Sequence, residues 1–385
     1  MTASPAVTAI EGFRSATGIE ELARGFARTA AAYDASGEFP FENFEALQNA
    51  GFHGLTVPRR LRGRGAGLAE ALQVVQSVGG GEPSTALVLA MHYLFLRVAE
   101  MRWPRDIADR LHRESIEKIA LINALRVEPE QGSPARGGLP ATIARKAKDG
   151  WLLNGHKIFS TGVPILSWYV VWARTEDAEP HLGNFLVQAG SPGIEVRETW
   201  DHAGLRASNS HDVIFNDVLI PDEWAVELKA PKDWKPDPQQ VAWSTVLVSA
   251  IYNGIAHAAR NWTYGFLKSR KPSNLGQALT EVPRIQLSAG RIESLLAVND
   301  RLLASAARDA DAGHPPTPSE SGIIKTTVTE NAISAVDEML RISGNHGLTR
   351  HNPLERHFRD VLCGRIHTPQ EDSVKIEAAR LAFAG

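Results

Sequence analysis

Residues 120 to 221 break the spacing that governs the rest of the chain. On either side of this region, apolar residues recur every three or four positions. Inside it they come in short runs, "GWLLNGHKIFSTG", "SWYVVWART", "NFLVQAG", "GIEVRETW" and "SHDVIFNDVLIP", punctuated by Asn-Gly, Pro-Gly and Asn-Asp. A stripe repeating near 3.6 residues buries one face of a helix, whereas short β-branched and aromatic runs closed by turn residues read as antiparallel strands. The chain therefore predicts helices, then a compact β unit, then helices again. That is an α+β order, with boundaries expected at 1–118, 119–230 and 231–385.

The flanking helices can be read individually. "GIEELARGFARTAAAYDASG" is rich in alanine, the best helix former, and "FPFENFEALQNAGF" is expected to end at Gly51. "LAEALQVVQSVGGG" is expected to stop at glycines that tolerate left-handed geometry. "STALVLAMHYLFLRVAEM" is apolar on nearly every face, which predicts a helix buried on all sides. After the linker "KAPKDWKPDPQQ" the helical period returns and continues to the C-terminus.

Composition excludes several classes of function. At 385 residues a large core and more than one subdomain are expected. A net charge of -3 with both signs interspersed leaves no footprint for nucleic acid or an anionic membrane. His92 and Arg97 interrupt the most apolar stretch, so no membrane span is expected. A single cysteine, Cys363, permits no internal disulfide, and the N-terminus carries no basic segment leading into an apolar run; a cytoplasmic protein is expected. The 13 histidines show no H-E-x-x-H spacing, so no metal site is expected.

Four stretches in order, "VEPEQGSP", "WLLNGHKIFSTG", "GLRASNSHDVIFNDVLIP" and "NPLERHFRD", resemble the acyl-CoA dehydrogenase superfamily of flavoproteins over nearly the whole chain. The resemblance implies an N-terminal helical domain, a central β-barrel and a C-terminal four-helix bundle. It also implies a flavin between barrel and bundle, and a homotetramer built as a dimer of dimers.

The departures from that family bear on the chemistry. A dehydrogenase needs a carboxylate to take the proton next to a thioester carbonyl. The family commonly places a glutamate in an I-Y-E-G-T string after the final "RD"; here the matching string is "IHTPQ", with Thr368 at that position. The family's other seat for the base falls near Ser244, and no acidic residue occurs from Val241 to Arg260. The R-x-x-F-G string that often grips the adenosine half of FAD appears as "RKPSNLG". "LINALRVE", "KIFSTG", "TWDHAGLRAS", "NGIAHAA" and "RIHTPQEDSVKIEAA" are similar instead to the two-component flavin monooxygenases, dibenzothiophene monooxygenase among them. That branch implies reduced FMN (FMNH2) supplied by a separate flavin reductase, O2, and a C4a-hydroperoxyflavin that oxygenates a small apolar or aromatic substrate at sulfur, nitrogen or carbon. The alternative is an FAD-dependent acyl-CoA dehydrogenase with a relocated base.

Candidate residues follow from the same matching. Imidazole donates a hydrogen bond at neutral pH, which makes His367 the expected donor to flavin-bound oxygen; read without the resemblance, it is a helix-terminal histidine satisfying last-turn carbonyls. The resemblance places His92 against the substrate cavity, although a lone histidine on a buried helix is more often a hydrogen-bonded core residue. Asn123 would contact the flavin ring or bound oxygen. Phe159, Ser160 and Thr161 would meet the flavin ring, with Phe159 and Thr161 sharing a face by strand alternation. Gly132 and Ser133 fit a turn that could hold the ribityl phosphate, though such a pair is commonly a plain turn. Arg270 would reach the same phosphate.

Overall fold

The structure, a computed structural model, describes residues 15–130 and 138–384. The first block is helical: α1 (Ser15–Ser36), α2 (Phe41–Asn49), α3 (Leu68–Gly81), α4 (Pro83–Arg102) and α5 (Arg105–Glu117). Strands follow as β1 (Leu121–Leu125), β2 (Ile143–Ala147), β3 (Gly150–Ser160), β4 (Leu166–Thr175), β5 (Leu182–Gln188), β6 (Ile194–Arg197), β7 (His211–Ile220) and β8 (Ala225–Lys229). The last block holds α6 (Pro238–Ser269), α7 (Pro283–Asp311), α8 (Pro318–Ser343), α9 (Asn345–Leu348), α10 (Leu354–Leu362) and α11 (Glu371–Ala384).

Helix α4 is the buried helix expected from its pattern. Glu82 starts it by accepting the backbone N–H groups of Ser84 and Thr85 at 3.1 and 2.6 Å, with Pro83 in the first turn, where a missing N–H costs nothing. By length and composition α4 is apolar enough to cross a bilayer, but most of it is enclosed by the protein. The glycines of α3 act otherwise than expected. Gly79, Gly80 and Gly81 lie inside the helix and none has a positive φ. They are required by close approach: a Cβ on Gly81 would collide with Ala23 O of α1, and one on Gly79 would stand 2.9 Å from Ile251 O of α6. Gly51, after α2, does adopt left-handed geometry as expected.

The strands form one eight-stranded sheet in the order β6-β7-β3-β2-β4-β5-β8, with β1 also on β4. Antiparallel pairs predominate, but β1 and β2 both pair with β4 in parallel, a departure from the all-antiparallel expectation. Turn residues betray only hairpins between sequence neighbours such as β2 and β3. Pairing across an intervening hairpin leaves no such mark. Strand β3 is irregular where it matters. Its register against β7 shifts between Lys157 and Ser160, Phe159 has φ +57, and Thr161 lies in the turn beyond the strand. Alternation therefore does not set the faces of Phe159 and Thr161.

Buried ionic contacts fix the site's supports. Lys157, fully buried, donates to Glu128 at 2.7 Å and to Trp172 O at 2.6 Å, and Glu128 also accepts from the backbone N–H of Ala141 and Thr142. Burial pulls the Lys157 ammonium down to about 8 against the pull of Glu128. At the junction of the three blocks, Arg359 of α10 grips Asp34 of α1 at 2.6 and 2.9 Å and donates to Ala203 O at 2.6 Å.

Candidate active site

One wall comes from the sheet and the loops after β3 and β6. Asn123 on β1 donates from Nδ2 to Thr161 O at 3.0 Å while its Oδ1 accepts from Ala124 N–H at 2.7 Å. Thr161 Oγ1 accepts from Ser210 Oγ at 3.0 Å, and Ser210 meets Ser208 at 2.9 Å. Ser160 Oγ is buried with no partner among the described residues. Beside these, the Phe159 ring is 49% exposed, an unusual place for a phenylalanine. It stands edge-on to His202 and Trp200 at 5.8 and 6.3 Å, and those two rings stack 3.7 Å apart. An uncovered aromatic surface next to an unpaired buried hydroxyl fits the flat, hydrogen-bonding ring system of a flavin.

The other wall is the turn that follows α10. Here His367, half-buried, places Nδ1 2.5 Å from the hydroxyl of Tyr252 on α6. Lys325 of α8 donates from Nζ to Gly364 O at 2.8 Å and to His367 O at 2.6 Å. Burial is the main cause that lowers His367 to about 4, with the Lys325 charge second, and burial also lowers Lys325 to about 8. Burial raises the Tyr252 phenol well above its ordinary range. Thr368 is exposed and Ser244 half-buried, and α6 contains no Asp or Glu along its whole length. The carboxylate that hydrogen-bonds to the middle of α6 is Asp300, which accepts from Asn253 at 2.7 Å and meets His257 at 2.9 Å.

The two walls pack on each other. Leu205 N–H donates to the buried carboxyl of Asp360 at 2.7 Å, and a Cβ on Gly204 would lie 2.8 Å from Cys363 Sγ. The loop bearing Trp200 and His202 is thus seated against the segment that runs on to His367.

The other sequence candidates lie as follows. His92 is fully buried; its Nδ1 accepts from Ile122 N–H at 3.3 Å and its Nε2 faces His53 O at 3.1 Å. Both nitrogens are engaged with backbone, and burial lowers the ring to about 3, so His92 is a neutral tie between α4 and the strand that carries Asn123. Arg270 is exposed just past the end of α6, eighteen residues beyond Tyr252, which puts it about 27 Å away along the helix. Within one chain it does not join His367. Gly132 and Ser133 lie outside the described residues. Sequence reasoning missed Tyr252, Lys325, Gly364 and His202. Two carried a visible cue: His202 lies within "TWDHAGLRAS", and Gly364 is a glycine in "CGRIH".

A helical block, a sheet and a second helical block, with an exposed aromatic ring beside an unpaired buried hydroxyl on the sheet side, suit a flavin-binding oxidoreductase. The chain belongs to the acyl-CoA dehydrogenase superfamily: the N-terminal domain of that family matches residues 17–99, the middle domain 126–218 and the C-terminal domain 246–371. YdbM of Bacillus subtilis (strain 168), an acyl-CoA dehydrogenase by name, is 34% identical and covers 95% of each chain. L-evernosamine nitrososynthase of a Micromonospora species is 30% identical over 88% of this chain and 82% of its own. Among solved structures, KijD3 in complex with FMN and a dTDP-linked amino-keto sugar superposes with a TM-score of 0.84 at 25% identity, covering 100% of this chain and 95% of that one.

Proposed function

We propose that this chain is a monooxygenase that takes up reduced FMN from a separate flavin reductase and uses O2 to oxygenate a small apolar or aromatic substrate at sulfur, nitrogen or carbon. The observation that carries the reading is the Tyr252–His367 pair, set beside an α6 without a carboxylate, where a dehydrogenase needs its base. The FMN seen with KijD3 supports the choice of cofactor. Reduced flavin, when bound, supplies the oxygen-activating chemistry.

The chain's own residues do the rest. Phe159, with Trp200 and His202 behind it, holds one side of the ring. Ser160 and the free N–H of Asn123 supply donors, and Thr161 is fixed by Asn123 and Ser210. His367 offers an N–H into the cleft and the walls exclude water, which preserves a reactive species otherwise lost as hydrogen peroxide. His92 acts through β1, holding Asn123 in place. Gly132 and Ser133, outside the described residues, are given the ribityl phosphate by the family resemblance alone. Arg270, about 27 Å along α6 from Tyr252, would serve that phosphate from a second copy in a homotetramer.

A second reading, an FAD-dependent acyl-CoA dehydrogenase with a relocated base, is favoured by the likeness to YdbM. A buried carboxyl that acts on Tyr252 is Asp360, pushed up to about 7 by burial, but that group is 3% exposed and bonded to Leu205. Anaerobic titration separates the two. The monooxygenase reading expects saturable binding of reduced FMN, weaker binding of the oxidised form, and no bleaching of bound flavin by any acyl-CoA. Tightly held FAD that an acyl-CoA bleaches without oxygen would establish the dehydrogenase instead.

A further inference from the structure

The surroundings of His367 decide which of its ring nitrogens carries the proton. Tyr252 is fully buried, and the one partner of its hydroxyl among the described residues is His367 Nδ1. Burial keeps the phenol protonated far above neutral pH. If Nδ1 carried the proton and the phenol oxygen accepted it, the phenolic O–H would be buried with nothing to donate to, which is costly. Donation from Tyr252 to Nδ1 satisfies both groups and leaves the ring proton on Nε2, the nitrogen for which the chain provides no partner among the described residues.

Charge and packing act in the same sense. Lys325 ties the carbonyls at both ends of the turn, Gly364 O and His367 O, and its ammonium beside the ring opposes a second proton. Other charged groups sit further out: Glu330 of α8 is paired with Arg365, and Glu371 opens α11, both acting on Lys325. Cys363 and Asp360 act on Tyr252 from α10 and the turn after it, and both are pushed toward their neutral forms by burial. Among the described residues, the charge that acts on the His367 ring is that of Lys325, which disfavours its charged form. Gly364 lets the turn lie flush, since a Cβ there would overlap Thr329 Cγ2 and stand 3.1 Å from the Tyr252 ring.

We propose that Tyr252 and Lys325 are positioning residues that hold His367 as a neutral imidazole with its proton on Nε2, a fixed hydrogen-bond donor throughout the pH range in which a free histidine titrates. This rests on the reading of His367 as the donor in the cleft. Its consequence is that the ring donates a hydrogen bond without surrendering a proton to what it touches. Coupling of flavin oxidation to oxygenation is then flat from about pH 5 to 8, where an unperturbed imidazole changes charge near 6.5.

The test uses the full-length chain without flavin, so its result is independent of any oxygenase activity. Deuterium exchange at the imidazole C2–H, followed by mass spectrometry of the peptide containing residue 367 across pH 3 to 8, gives the ring's midpoint directly. Wild type is expected near 4. Lys325→Met is expected to raise the midpoint by roughly one unit, a tenfold change in proton affinity, while Lys325→Arg restores the low value. Nitrogen-15 spectra of histidine-labelled protein, with the residue assigned by its loss in His367→Gln, are expected to show a protonated Nε2 and a bare Nδ1. A wild-type midpoint of 6 to 7, an Nδ1–H tautomer, or a folded Lys325→Met with an unmoved midpoint overturns the proposal. If Lys325→Met does not fold, Tyr252→Phe decides: loss of the phenol donor is expected to raise the midpoint, and an unchanged value counts against it. A low midpoint and Nε2–H in a chain that fails to oxygenate would refute the function and leave this inference standing.

Discussion

Gly364→Ala puts one methyl group where the site has no room for it. The added carbon would overlap Thr329 Cγ2 on α8 and stand 3.1 Å from the Tyr252 ring on α6, two helices whose backbones cannot yield locally. Carbon atoms settle near 3.5 to 4 Å, so the turn retreats by roughly 1 Å. Such overpacking costs about 1–3 kcal/mol. The same retreat lengthens the 2.8 and 2.6 Å contacts of Lys325 and the 2.5 Å contact of Tyr252, loosening His367. Gly290→Ala on α7 is the control: its Cβ would meet nothing within 4 Å, and it should stabilise the helix by about 0.5–1 kcal/mol. Urea unfolding with matched slopes measures both, and the fraction of reducing equivalents released as hydrogen peroxide measures the site. Gly364→Ala should be the less stable and the more wasteful of the two. Equal stability together with unchanged peroxide release would refute the account of the turn.

Other perturbations test separate parts of the account. Lys157→Met strands Glu128, 3% exposed, without its cation and should cost about 3–5 kcal/mol, read from denaturant midpoints; a loss under about 1 kcal/mol would show the pair to be incidental. His92 and His357 are both lowered to about 3 by burial, so the unfolded chain binds protons that the folded one refuses. Their contribution is complete above about 6.5 and is lost as pH falls from there toward 3, about 2 kcal/mol per ring by pH 5; a stability flat over pH 5 to 7 would contradict this. Phe159→Ala removes the exposed ring that would lie against the flavin and should weaken reduced-FMN binding roughly tenfold with little change in unfolding, because the lost surface is already half in solvent.

Much of the architecture was legible because it is written in local periodicity. The change of spacing near Ala120 and its reversal after the "KPDP" linker mark the helix-to-strand and strand-to-helix transitions at Leu121 and Pro238, and the all-round apolarity of "STALVLAMHYLFLRVAEM" marks α4. What is not local was misread or missed. Gly79 to Gly81 resemble a helix terminator, yet their purpose is contact with Ala23 and Ile251, partners far away in sequence. The parallel pairing of β1 and β2 with β4 leaves no turn signature. His367 was singled out by its place in a motif. Tyr252 and Lys325, which hydrogen-bond to its ring and its carbonyl, sit 115 and 42 residues away, each inside a helix whose pattern explains them as ordinary members. Phe159 was singled out in the same way, but its positive φ and the register shift of β3 against β7 are features that spacing alone does not reveal.

The central claim is that imidazole, in place of a carboxylate base, guards activated oxygen in this cleft. Rapid mixing of the reduced-FMN complex with oxygenated buffer, following oxygen consumption and the appearance of oxidised flavin together, tests it most directly. The account predicts a lag between the two signals in wild type, shortened roughly 100-fold in His367→Gln, the scale of losing one well-placed donor. Simultaneous signals in wild type, or a lag of equal length in the variant, would contradict it.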